Sequence, residues 1–99
     1  LQTEANAIAD AMLAAMQQDL ASDSREARAI AERHRLHIDR WFYSCSPAMH
    51  AQVASLYTAD PRFQAHYDQR APGLAAYSQA AIRASANGRE LETSNPALE

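Results

Sequence analysis

Through most of this 99-residue chain the apolar side chains return every three or four positions, the spacing that gathers them on one side of a helix. Ile8, Met12, Ala15, Met16 and Leu20 make a first stripe. After a break at Ala21 to Asp23, a second stripe holds Ala27, Ile30, Ala31, His34, Ile38 and Trp41, with Arg28, Arg35 and Asp39 mostly opposite. Ser24 is placed to cap this second helix. Ser46-Pro47 and Asp60-Pro61 each join a capping side chain to a proline at the first helical position, where the missing N–H does no harm. The helix opened by Pro47 carries Met49, Val53, Leu56 and Tyr57, and the one opened by Pro61 carries Phe63 and Tyr67. Pro72-Gly73 then precedes a last helix with Leu74, Tyr77, Ala81 and Ile82, for which Asn87-Gly88 predicts a left-handed stop. The pattern predicts an all-α domain of about five helices. It spans residues 1–92, and 93–99 form a flexible tail in which Leu98-Glu99 reads as a cloning remnant.

Composition narrows the function. Two glycines, alanine-rich stretches and few β-branched residues favour helix over strand. The nine basic residues are all arginine, scattered from Arg25 to Arg89 in a chain of net charge −3. No basic stripe suited to nucleic acid forms, so direct DNA binding by this segment is not expected. Nothing resembles a membrane span or a signal peptide. The lone Cys45 suits a reducing, cytoplasmic setting, and a chain opening on Leu1 reads as part of a longer protein.

Several side chains invite chemistry. His34 and His37, three apart on a helix, share a face on which both can reach one metal ion, but His50, His66 and Cys45 lie at no recognised ligand spacing. No metal or other cofactor is expected. Cys45 and His50 flank a helix start that favours a thiolate, yet neither an orienting partner nor an oxyanion donor pair is identifiable, so no enzyme is expected. The aromatic residues say more. Trp41, Phe42 and Tyr43 run consecutively and point about 100° apart on a helix, so they cannot all enter one core stripe. Rings with a polar tip suit a pocket wall. Phe63 and Tyr77 are expected in the core, and the remaining aromatic residues divide between core and cleft. Met12, Met16 and Met49 serve either as core filler or as an adaptable ligand surface.

Three blocks of the chain resemble the TipAS-type antibiotic-recognition domain. They are His37-Ile38-Asp39-Arg40-Trp41-Phe42-Tyr43-Ser44-Cys45-Ser46-Pro47-Ala48-Met49-His50, then Leu56-Tyr57-Thr58-Ala59-Asp60-Pro61-Arg62-Phe63, then Pro72-Gly73-Leu74-Ala75-Ala76-Tyr77 with Ala81-Ile82-Arg83-Ala84. The resemblance implies a globin-like fold without haem, serving as the C-terminal effector half of MerR-family transcriptional regulators or as a free drug-sequestering protein. It implies a cleft for thiopeptide or albicidin-like antibiotics and an N-terminal segment, here Asn6 to Leu20, that folds over the ligand as a lid. Some members of the family serve in stress regulation. Two departures stand out. Ser44 replaces a frequent proline, and Gln52 stands where thiopeptide binders carry the cysteine that bonds the drug. Reversible binding is therefore expected.

The expected cleft comprises Leu13, Met16, Trp41, Tyr43, Met49, His50, Val53 and Tyr57. Trp41 and Tyr43 would stack on flat rings, His50 would hydrogen-bond, and the aliphatic side chains would form the floor. The expected partner is a small-molecule or peptide antibiotic-like ligand. DNA would be reached only through an N-terminal domain, in a full-length homodimer whose isolated effector half is a monomer. The alternative is a ligand-independent interaction module whose cleft is filled by its own N-terminal helix.

Overall fold

The computed structural model of the chain describes the backbone of residues 2–94 and the side chains of residues 2–88. Its elements are α1 (Gln2–Gln17), α2 (Arg25–Trp41), α3 (Pro47–Ala54), α4 (Leu56–Ala59), α5 (Pro61–Asp68) and α6 (Leu74–Ser94). No strand occurs among the described residues. Of the expected tail, residues 95–99 lie outside the described residues.

The predicted starts are built from the predicted groups. Ser24 Oγ accepts the Ala27 N–H at 3.1 Å and Ser46 Oγ accepts that of Met49 at 3.1 Å. Asp60 Oδ1 accepts the Arg62 N–H at 2.9 Å. These bonds satisfy amides that the helix itself leaves without acceptors. Helix α1 ends differently. The Leu20 N–H reaches back to the Ala15 carbonyl at 3.1 Å while Asp19 turns left-handed at φ 59°. This is a Schellman-type stop with aspartate where glycine is usual.

Helix α6 is the axis of the molecule and touches all five other helices. Much of what meets there is alanine: Ala27 and Ala31 of α2, Ala54 of α3, and Ala75 and Ala81 of α6 are fully buried. Small side chains let the helix backbones approach, while Met12, Tyr57, Leu74 and Ile82 fill the remaining volume. Leu13, Met16, Ile30, Val53, Tyr67 and Tyr77 pack around this cluster.

Three expectations need correction. The helix predicted from Pro47 through Tyr57 breaks at Ser55, whose hydroxyl donates to the Gln52 carbonyl and competes with the backbone ladder. Phe63 is not core. Helix α5 has no buried residue, so Phe63 stacks one face on Tyr57 (centroids 6.2 Å apart) and leaves the other to solvent. Tyr77 packs on the core as expected, and its hydroxyl donates to the Leu20 carbonyl at 2.8 Å. Finally, Asn87-Gly88 does not stop α6, which continues to Ser94. Tertiary packing overrides the local signal, with α6 lying against α2 and the Arg28 guanidinium beside Gly88.

The two glycines should therefore respond to alanine with opposite signs. Gly73 has φ +90° and open space around it, so Gly73→Ala meets only backbone strain and should destabilise by about 1 kcal/mol. Gly88 sits in a helix, and an added Cβ would make an ordinary 3.6 Å contact with Arg28. Gly88→Ala should stabilise by about 0.5–1 kcal/mol. Thermal or urea unfolding of the two variants measures both.

Candidate functional site

The side chains that α6 turns toward α1 are Leu74, Ser78 and Ile82, spaced by four, and they line a cavity of about 280 Å³. Ala5, Ile8, Ala9 and Met12 of α1 form the opposite wall, with Gln2 and Asn6 at its start. His34, His37 and Ile38 of α2 enter from one side, followed by Phe42. Tyr57, His66, Tyr67 and Arg70 close the other. The interior is apolar and aromatic, with a few polar groups converging on it, which is the usual make-up of a small-molecule site.

Helix α1 is thus a wall of the cavity, and its attachment matters. It buries Ile8, Met12 and Ala15. Its edges are held by polar contacts. His37 Nδ1–H and Trp41 Nε1–H both donate to Glu4 Oε1, the second at 3.0 Å, joining the start of α1 to the end of α2. The two hydrogen bonds hold the Glu4 carboxyl below the usual carboxylate range. Further along, Arg70 Nη1 donates to Asp10 Oδ1 at 2.8 Å, tying α1 to the turn between α5 and α6. Tyr77 holds the chain just past the end of α1.

The aromatic wall is itself packed. Tyr57 and Tyr67 lie with centroids 4.4 Å apart, and His66 meets Tyr67 edge-on at 5.5 Å. Burial pushes both phenols up, so they stay neutral and act as hydrogen-bonding rings.

The histidines do not converge on one point. His37 turns to Glu4, whereas His34 Nδ1 and His50 Nε2 share a 2.9 Å hydrogen bond in which one ring donates and the other accepts. Burial lowers His34 to about 4 and His50 to about 3, helped by the charge each would feel from neighbouring imidazoles and, for His50, from Arg35. Both are neutral at pH 7. Among the described residues no group of three or more His, Cys, Asp or Glu side chains is placed to hold a metal. Cys45 is buried, and burial pushes its thiol up, the reverse of what a nucleophile needs. Its backbone is clamped instead: the N–H donates to Asp39 Oδ1 and the carbonyl accepts from Arg35, each at 2.8 Å. Arg35 in turn makes a forked pair with Glu32.

Of the eight expected cleft residues, Tyr57 lines the cavity. Leu13, Met16 and Val53 pack against the core, and His50 lies behind the wall, reaching it through His34. Trp41, Tyr43 and Met49 are 40–47% exposed outside the cavity, although Trp41 is linked to α1 through Glu4. Phe42 and Tyr67, which the sequence leaves divided between core and cleft, also line it, and so do His66, Arg70 and Ser78, which the sequence does not point to. The i, i+4 run Leu74–Ser78–Ile82 was a signal that could have been read, because it puts a serine on an otherwise apolar stripe.

A family model, the TipAS antibiotic-recognition domain, matches residues 1–85. The chain belongs to this family. TipAS relatives include the HTH-type transcriptional activator TipA of Streptomyces coelicolor, 38% identical over 86 residues, which are 87% of this chain and 34% of the activator. The HTH-type regulator SkgA of Caulobacter vibrioides is 40% identical over 89 residues, 89% of this chain and 35% of that protein. The chain therefore spans about a third of the length of these curated relatives. The Streptomyces lividans TipAS structure in complex with nosiheptide superposes with a TM-score of 0.84 at 38% identity, covering 89% of this chain and 62% of that one. The antibiotic-binding domain of a TipA-class multidrug resistance regulator superposes at 0.82, with 38% identity, covering 89% of this chain and 94% of its own. The all-α arrangement is the TipAS fold.

The buried imidazole pair makes a pH prediction. Both rings titrate far below the ordinary value of 6.5, so the unfolded TipAS chain binds more protons as pH falls below that value. Stability should be full above pH 6.5 and decline toward pH 4. A loss on the order of 2–4 kcal/mol is expected between pH 7 and pH 5, before most carboxylates titrate. Urea midpoints across that range should show it, and His50→Gln should flatten the slope.

Proposed function

We propose that this chain is the ligand-sensing effector domain of a MerR-type transcriptional regulator, taking a large, partly apolar compound reversibly between α1 and the rest of the fold. The cavity bounded by α1 on one side and by α2, α5 and α6 on the other carries the reading. The family and the nosiheptide complex of the Streptomyces lividans relative support it. A ligand larger than the present cavity would need α1 to move outward, breaking the Glu4 and Asp10 contacts and drawing Met12 away from the α6-centred core. Through such a shift ligand would bias the arrangement of an N-terminal DNA-binding half in a full-length cytoplasmic homodimer. It can do so only by its difference in affinity for the two states.

The site residues in this reading are the cavity walls, with Tyr57 and Phe42 facing the ligand and Trp41 reporting on α1. Of the other residues expected at the cleft, Tyr43 and Met49 are exposed outside the cavity and would meet only a ligand that extends beyond it. His50 would act through His34, and Leu13, Met16 and Val53 would support the floor.

A second reading has a specific observation behind it. Helix α1 is packed, and a cavity of about 280 Å³ falls just short of the roughly 300–1,000 Å³ typical of drug-sized sites. A ligand-independent regulatory module of a stress-response regulator would look the same.

Titration with nosiheptide, followed by the fluorescence of the single tryptophan, separates the readings. Trp41 donates to Glu4 on α1, so outward movement of that helix should change its emission. Saturable, dilution-reversible change is expected, and Phe42→Ala should weaken it about tenfold, the scale of losing one aromatic contact. No change with nosiheptide or other thiopeptides would favour the ligand-independent module.

A further inference from the structure

The cavity wall has a charge bias that the rest of the molecule lacks. The chain carries twelve Asp and Glu residues against nine Arg, yet among the described residues no carboxylate lines the cavity. Its ionisable basic groups are instead Arg70 and the imidazoles of His34, His37 and His66. Glu4 and Asp10 are bonded to His37 and Arg70 but do not line the cavity themselves.

Arg70 is the permanent charge among these groups. It sits at the end of the aromatic wall made by Tyr57 and Tyr67, and its partner Asp10 is engaged through one N–H of Nη1. A guanidinium has five N–H donors in a planar fork that matches an acid's oxygens. Asp10 is about two-thirds exposed, so water can solvate it if a competitor takes the arginine.

We propose that the cavity selects an aromatic ligand bearing an acidic group, whose anion is held by Arg70 in competition with Asp10. This rests on the cavity being the ligand site. The rings lie against Tyr57, Tyr67 and Phe42, and the anion reaches the guanidinium at the wall's end. A cationic ligand finds no carboxylate on the wall to replace its lost hydration, so it is disfavoured. Because Asp10 belongs to α1, the exchange also releases one of the polar ties that hold this wall in place.

Two fluorescent probes with one skeleton test the idea: N-phenyl-1-naphthylamine, which is uncharged, and 1-anilinonaphthalene-8-sulfonate, which adds a single sulfonate. On the intact 99-residue chain the sulfonate should bind about tenfold more tightly, as one charge-assisted contact provides, and should displace the neutral probe. Arg70→Gln should bring the affinity ratio of the two probes close to one. Asp10→Asn, by removing the competing carboxylate, should raise the ratio further. Far-UV circular dichroism checks that both variants keep their helices. Equal affinity of the wild type for the two probes, non-competitive binding, or a ratio that Arg70→Gln leaves unchanged overturns the anion preference alone. Binding of neither probe removes the cavity reading and this proposal with it.

Discussion

Everything in this fold hangs on how closely the helices can approach α6. Ala27, Ala31, Ala54, Ala75 and Ala81 are fully buried, and each presents only a methyl group to its neighbours. Close approach leaves the volume between the helices to a few larger side chains: Tyr57 packs into the alanine cluster itself, Tyr67 lies against it, and both also line the space under α1, where Phe42 joins them. Larger side chains at the alanine positions would force the helices apart, and overpacking of a close-packed interior is itself unfavourable. The cavity lies where these rings, the floor on α6 and the inner face of α1 meet. Its floor, Leu74 to Ile82, belongs to the same helix that organises the core, so the site is anchored to the most constrained element of the molecule.

Helix α1 is bound by a different balance. It contributes three buried side chains, of which one is an alanine, and a sixteen-residue helix is marginal in water without tertiary support. Its polar ties add little. The Asp10–Arg70 pair is solvent-facing, and exposed ion pairs contribute about 0–1 kcal/mol. The Glu4 contacts combine a buried imidazole with a half-exposed carboxylate, so they fix direction more than they add stability. The helix is held chiefly by its apolar side chains, with Leu13 and Met16 packed on the core beside the buried three, so moving it would give up that burial.

The same contrast decides what could be read from sequence. Helix starts were legible because each is a local bargain: Ser24, Ser46 and Asp60 satisfy amides two or three residues away, and Gly73 supplies a conformation that only its own backbone dictates. The stop at Asn87-Gly88 was misread because packing against α2 outweighs a glycine's modest helix penalty. Phe63 was misplaced because hydrophobicity does not say that α5 lies on the outside. The cavity was the least legible part. It is assembled by contacts across 33, 37 and 60 positions, from Glu4 to His37 and Trp41 and from Asp10 to Arg70, and no residue's neighbours in sequence announce them. His34 and His37, read as a possible pair by spacing, are pulled apart by partners on α3 and α1.

The chemistry around Cys45 bears on whether binding is covalent or reversible. A thiol that captures an electrophile must be exposed and ionised, and Cys45 is neither: it is 1% exposed, and burial opposes its thiolate. Its backbone, gripped by Asp39 and Arg35, fixes the turn that leads from Tyr43 into α3. Helix α3 presents Gln52 on its exposed side, outside the cavity wall, and Cys45 is the one thiol of the chain. What remains in the cavity is a set of aromatic faces, imidazoles and one guanidinium. All of these interactions form and break without a chemical step. In the proposed reading, occupancy would follow ligand concentration in both directions, which suits a sensor that must relax when its signal disappears.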